Sequence, residues 1–206
     1  MRFKIKFTNR EIAQLALLSS LWAVIEIYWG LLLRSFKIPF SGALLIFLGV
    51  IILCLGRSFV PRRGTAILMG MTISFIKLNF LGGIAIFSIL AIMIEVILVE
   101  IGFSVNHPRK INYYLAGALG VLWSLFHPFF AQGLLAGWGI LKVYQMIVGK
   151  GAAILGLNHQ QAWLIFLALA CYHIGLGIVA GYLGWQLPQL VYRRIYQYRA
   201  NVMSKI

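Results

Sequence analysis

Aspartate is absent from this chain of 206 residues, and glutamate occurs only four times, against 18 lysines and arginines. Three of the four glutamates, Glu26, Glu95 and Glu100, lie inside long apolar runs. A charge at the centre of a bilayer costs about 3 kcal/mol or more, so a chain that excludes aspartate yet keeps these groups has a use for at least some of them. Cysteine is scarce too. Cys54 and Cys171 both fall within apolar runs, which excludes a disulfide framework and leaves buried, inert thiols as the expectation. Neither has the spacing of a metal site. No glycine-rich phosphate loop and no His-Glu-x-x-His is present, so the chain holds no ATPase site or helical zinc-protease motif of its own. No low-complexity segment, soluble domain or cleavable leader is evident: the first apolar run carries Gln14 and Glu26, and no small-residue cleavage site follows it.

What the chain does have is apolar residues, 62% of the total, with a mean hydropathy of +0.92. That is too apolar for a soluble core of this size. The net charge of +14 does not signal nucleic acid, because the basic residues sit at the ends of apolar segments, as the positive-inside rule describes. The chain reads as one all-α integral membrane domain over residues 1–206. About 20 helical residues cross a bilayer. Six segments qualify, at about 11–33, 40–56, 64–80, 83–104, 111–132 and 162–187, and 133–161 is too polar and glycine-rich to span. Alternating six spans puts thirteen of the 18 basic residues on one side: Arg2, Lys4, Lys6, Arg10, Arg57, Arg62, Arg63, Arg109, Lys110, Arg193, Arg194, Arg199 and Lys205. Arg34, Lys37, Lys77, Lys142 and Lys150 fall on or near the other. Both termini are therefore expected in the cytoplasm.

At a helical rise of about 1.5 Å per residue, Glu26, Lys77, Glu95, His127 and His173 all fall at or above mid-depth, on five different helices. They are the candidate ligand-binding groups. Lys77 and Glu95 flank the tight Leu81-Gly82-Gly83 turn, but a difference in depth of about 9 Å disfavours their pairing, and Lys77 is expected to face the outer cavity. Glu100 lies lower, within reach of Arg62, Arg63, Arg109 or Lys110, and is given a structural role. His127 precedes Pro128, which frees the carbonyl of Ser124. His173 shares a face with Gly177 and Gly181, a pattern that suits either a flat ligand or a close helix crossing. Trp22 and Trp123 lie deeper than the other tryptophans and are candidate ligand walls or core packing. The 133–161 segment, with an amphipathic piece near Ile140–Val148, is expected outside the membrane as a mobile lid or a surface segment. Asn158, Gln160 and Gln161 are its candidate hydrogen-bonding groups.

Small residues recur four apart: Ala16/Ser20 and Ser19/Ala23, then Ala66/Gly70/Ser74, Ala116/Gly120/Ser124, Gly177/Gly181 and Ala180/Gly184. Such rows serve close packing within the bundle or docking of a second membrane protein, and the first helix is the better docking candidate.

The N-terminal run Glu11-Ile12-Ala13-Gln14-Leu15-Ala16-Leu17-Leu18-Ser19-Ser20-Leu21 and the loop Arg57-Ser58-Phe59-Val60-Pro61-Arg62-Arg63-Gly64-Thr65, taken with six spans, resemble the substrate-binding S components of energy-coupling factor (ECF) transporters. The resemblance implies a multi-pass protein of a prokaryotic cell membrane. Such a protein captures a vitamin, cofactor precursor or metal ion from outside and associates with a transmembrane coupling protein and two ABC ATPases. It implies no catalysis by the chain itself. The family's docking motif, Ala-x-x-x-Ala on the first helix, is matched by Ala16/Ser20 or Ser19/Ala23 in size but not as an alanine pair. The histidine-rich N-terminus of nickel and cobalt members is missing, which points to an organic substrate. The competing readings are an intramembrane metal-dependent enzyme using Glu95, His127 and His173, since two His and one Glu form a known zinc set, and a structural subunit of a membrane complex.

Overall fold

The computed structural model describes residues 7–38, 40–104 and 108–203, and among these residues it is helical with no strand. Arg2, Lys4, Lys6 and Lys205, used in the charge reading, lie outside the described residues. Eight α-helices follow in order: α1 (Asn9–Val24), α2 (Gly30–Ser35), α3 (Ser41–Phe59), α4 (Thr65–Leu81), α5 (Ile86–Gly102), α6 (Lys110–Pro128), α7 (Ile140–Leu155) and α8 (Ala162–Met203). A π-helical segment, Ile25–Trp29, joins α1 to α2, and another, Phe129–Leu135, extends α6.

Four helical stretches are long and apolar enough to cross a membrane: Asn9–Leu33, Ser41–Phe59, Lys110–Leu135 and Ala162–Arg194. The remaining two expected spans correspond to α4 and α5, of 17 residues each, or about 25 Å. The exterior carries large apolar side chains such as Leu17, Phe75 and Phe80, each more than two-thirds exposed. That surface suits hydrocarbon and not water. The last helix departs from expectation. It runs 42 residues, through Pro188 and well past residue 187. Proline removes one intrahelical bond, at the carbonyl of Gly184, without ending the helix here.

α3 is the centre of the bundle, packed by α8, α6, α1 and α4. Buried residues run along most of its length, at Ala43, Gly49, Val50, Leu53 and Gly56 among others, while Leu44 is exposed on the remaining face. The closest crossing is between α6 and α8. A Cβ at Gly177 would meet the Gly117 carbonyl and come within 2.6 Å of Ala118 Cα, and one at Gly181 would meet the Tyr113 carbonyl. The Gly177/Gly181 row therefore serves a helix crossing and not a flat ligand. Gly70 against Val96 and Gly120 against Val50 and Val99 show the same use within the bundle.

The end of the bundle that holds the basic loops is locked by polar contacts. Glu100 Oε1 accepts from Gly64 N (2.8 Å) and Oε2 from Ala66 N (3.0 Å), so a side chain from α5 caps the start of α4. Its ionic partner is the fully buried Arg57, at 3.4 Å, in place of the four cations the sequence suggested. Arg57 also donates to the Phe103 carbonyl at 3.3 Å. Thr8 and Glu11 form a capping box at the start of α1, and Arg62 reaches Glu11 at 2.7 Å. The two segments that carry the family resemblance thus touch each other.

The 133–161 stretch is more ordered than a glycine-rich loop. α7 occupies 16 residues of it. Its apolar face, Val143, Ile147, Val148 and Ala152, packs with Ile165, Leu169 and Leu125 in a second core cluster. Gly156, in the left-handed conformation at φ 65°, terminates the helix. Gly82, at φ 58° and ψ −148°, supplies the reversal between α4 and α5 that other residues resist.

Candidate functional site

The end of the bundle away from Arg57 and Glu100 contains two cavities of about 350 and 510 Å³. They share Gly42, His127 and Gln132 as walls. The smaller lies between the π segment after α1, the start of α3 and the start of α5, and is lined by Glu26, Glu95 and Ser88. The larger lies between the 37–43 turn, α7 and α8, and is lined by Lys37, Lys150, His173 and Ser41.

Both π-helical segments contribute wall residues: Glu26 from one, Ala131 and Gln132 from the other. A π turn inserts one residue into the helical repeat and re-aims the side chains that follow, and such turns concentrate at functional sites. Two non-glycine residues with positive φ, Lys37 at 50° and Phe40 at 54°, line the larger cavity. The left-handed conformation is costly for side chains bearing a Cβ and is held here by the surrounding turn.

Four of the residues singled out from the sequence, Glu26, Glu95, His127 and His173, reach these walls. Glu95 is 1% exposed and His173 fully buried. Glu95 Oε1, His127 Nε2, His173 Nε2 and Gln132 Oε1 are buried and have no hydrogen-bond partner among the described residues. His173 Nδ1 donates to the Leu169 carbonyl at 2.6 Å, which turns Nε2 toward the cavity, and Phe40 meets the same ring edge-on at 5.9 Å.

The other three sit elsewhere. Lys77 does not face the cavity. Its Nζ bonds Glu26 Oε2 at 2.9 Å and Ser88 Oγ at 2.6 Å, a buried pair between the first helix and α4. Its depth disfavoured Glu95, but Glu26 on another helix stands at the same level. Trp22 is fully buried in the main core, its ring packed where Gly49 leaves space. Trp123 donates its Nε1–H to the Ala91 carbonyl at 3.1 Å and meets His127 edge-on. Both tryptophans are core and neither lines a cavity, whose aromatic walls are Phe40 and Phe87. Asn158 caps the short turn that follows it, accepting from Gln160 N at 3.2 Å, and neither it nor Gln160 and Gln161 lines the cavities.

The small-residue rows of α1 separate by burial. Ser19 and Ala23 are buried within the bundle and are unavailable to a second protein. Ala16 and Ser20 lie on the exposed face, with the Ser20 hydroxyl turned back on the Ala16 carbonyl at 2.9 Å. Of the thiols, Cys54 is buried as expected, whereas Cys171 is on the exposed side of α8. Among the described residues no three His, Cys, Asp or Glu side chains gather as a metal site, so Glu95, His127 and His173 are not assembled as a zinc set. Gln132, Ser88, Lys37, Lys150, Ser41 and Ser124 are further polar residues of the walls. Of these Gln132 carried a readable signal, an amide at the end of an apolar run.

No protein-family model, curated protein or solved structure matches the chain.

Proposed function

We propose that this chain is the solute-binding membrane subunit of an ECF-type importer. In this reading it has six spans and both termini in the cytoplasm of a prokaryotic cell. The cavities open toward the outside and take a small organic micronutrient. A transmembrane coupling protein and two ABC ATPases supply the energy, and the chain itself catalyses no reaction. The observation that carries the proposal is the pair of adjoining cavities lined by Glu95, His127, Gln132 and His173, each of which holds a buried polar atom without a partner among the described residues. Such atoms are expensive inside a protein, and a binding site is where that cost is offset by a ligand. A pocket mostly apolar, with a few fixed polar groups, is the general form of small-molecule sites. The resemblance of the 11–21 and 57–65 segments supports the coupling partners, and the exposed Ala16/Ser20 face offers a surface for close helix contact.

The test is a pulldown of the tagged full chain in gentle detergent from its native host, with partners identified by mass spectrometry. The expected result is one membrane coupling protein with two ATPases. Recovery of a different stable membrane complex, without ATPases, would replace this reading with that of a structural subunit.

A further inference from the structure

The two cavities differ in charge. The smaller is lined by two carboxylates, Glu26 and Glu95, and, among the described residues, by no lysine or arginine. Lys77 compensates Glu26 from behind, which leaves the buried Glu95 with Oε1 bare. The larger is lined by Lys37 and Lys150 and, among the described residues, by no carboxylate. Behind those two exposed lysines stands His173, fully buried, with Nε2 bare. A bare carboxylate oxygen wants an N–H donor, and paired ammonium groups want an oxyanion. Between them, at the shared wall, His127 Nε2 and Gln132 Oε1 are also unpartnered. The strained turn that holds Lys37 and Phe40 at positive φ belongs to the basic cavity, and strain of this kind collects at ligand clamps.

We infer that the ligand is a bipolar organic molecule, with an amine or similar N–H donor seated on Glu95 and an oxyanion held between Lys37 and Lys150, spanning both cavities past His127 and Gln132. This rests on the solute-binding reading and narrows it to a substrate class. An amine without an anion would leave the lysine end unused. A simple anion would leave the acidic cavity unused. His173 Nε2 accepts from the middle of the molecule when the ring is neutral and donates to the anionic end when it is protonated.

The test uses the full chain in lipid nanodiscs and three matched probes: 4-(aminomethyl)benzoate, 4-methylbenzoate, which lacks the amine, and methyl 4-(aminomethyl)benzoate, which lacks the anion. Binding is read by saturation-transfer NMR against empty nanodiscs. The bipolar probe is expected to bind at least about tenfold tighter than either single-ended one, as one added charge-assisted hydrogen bond allows. Glu95→Gln should remove the advantage given by the amine and leave that given by the carboxylate. The double variant Lys37→Gln/Lys150→Gln should do the reverse. Gly42 lies at the junction, where an added Cβ meets nothing within 4 Å. Gly42→Leu should therefore block the bipolar probe while thermal unfolding stays unchanged. Equal binding of all three probes, no binding of the bipolar one, or discrimination unaffected by the charge variants would overturn the inference. If that failure accompanies recovery of the coupling protein and ATPases, only the ligand class is lost. Bipolar binding with no such partners would instead keep the ligand class and remove the transporter.

Discussion

Lys77 and Glu26 are 4% and 8% exposed at their side chains, and each is tolerable at that depth because of the other. Removing one partner of a buried pair leaves the remaining charge uncompensated, at a cost of about 3–5 kcal/mol. Replacing both with neutral groups removes the problem. Lys77→Met should therefore lower stability by about 3 kcal/mol or more, and the double variant Lys77→Met/Glu26→Gln should recover most of that loss. Unfolding of the four proteins of this cycle in mixed micelles measures the coupling. A double variant as unstable as the sum of its parts would show that the pair contributes nothing as a pair. Glu95 differs in kind. It lines the cavity and holds an unpartnered buried oxygen, so its replacement by glutamine should leave the fold intact and act on binding.

At the scale of the helix, the spacing of glycines matters more than their number. Gly175 and Gly177 are two residues apart on α8 and face different surroundings. Nothing lies within 4 Å of a Cβ at Gly175, while one at Gly177 would run into the backbone of α6. Backbone cannot turn aside as a side-chain tip can, so Gly177→Ala should separate α6 from α8 and destabilise by about 1–3 kcal/mol or more. Gly175→Ala should raise stability by up to about 1 kcal/mol through helix propensity alone. Thermal unfolding of the two variants side by side is the measurement, and equal shifts would mean that the crossing is looser than described. The same reasoning explains why α7 is a helix. Gly149 and Gly151 made its stretch read as mobile, but Gly151 faces Ile165 and Leu169. It serves as a contact and not as a hinge.

For the whole molecule, the open quantity is orientation. Six spans with both ends inside put Arg63 in the cytoplasm and Gln160 outside. Once Cys54 and Cys171 are replaced, Gln160→Cys should react with a membrane-impermeant maleimide in intact cells. Arg63→Cys should react only after permeabilisation. The opposite pattern would invert the protein, turn its cavities inward and remove the importer reading. The polar architecture fits the expected direction: the Arg57–Glu100 cluster with its capping bonds lies at the basic end, and both cavities lie at the other.

Apolar helices long enough to cross a membrane, the helical class and the approximate positions of α3 to α6 were legible in the sequence, whereas α7 and the full length of α8 were not. The legible features follow from local quantities, namely the apolar run length a bilayer demands, the exclusion of acidic residues and the placement of lysine and arginine between runs. A constant rise per residue grouped Glu26, Lys77, Glu95, His127 and His173 at or above mid-depth, and four of these five line the cavities. Which of them meet was decided only by tertiary structure. Depth says nothing of the rotation of a helix about its axis or of its neighbours. For that reason Lys77 found Glu26 and not an open cavity, Glu100 found Arg57 and the start of α4, and Ser19 and Ala23 turned inward while Ala16 and Ser20 turned out. It is also why Trp22 and Trp123 became core, and why the cavity walls came to include Gln132 and Ser88. Composition and run length determine which stretches are helical and apolar enough to cross a membrane, while the contacts that build a site depend on packing angles between helices far apart in the chain.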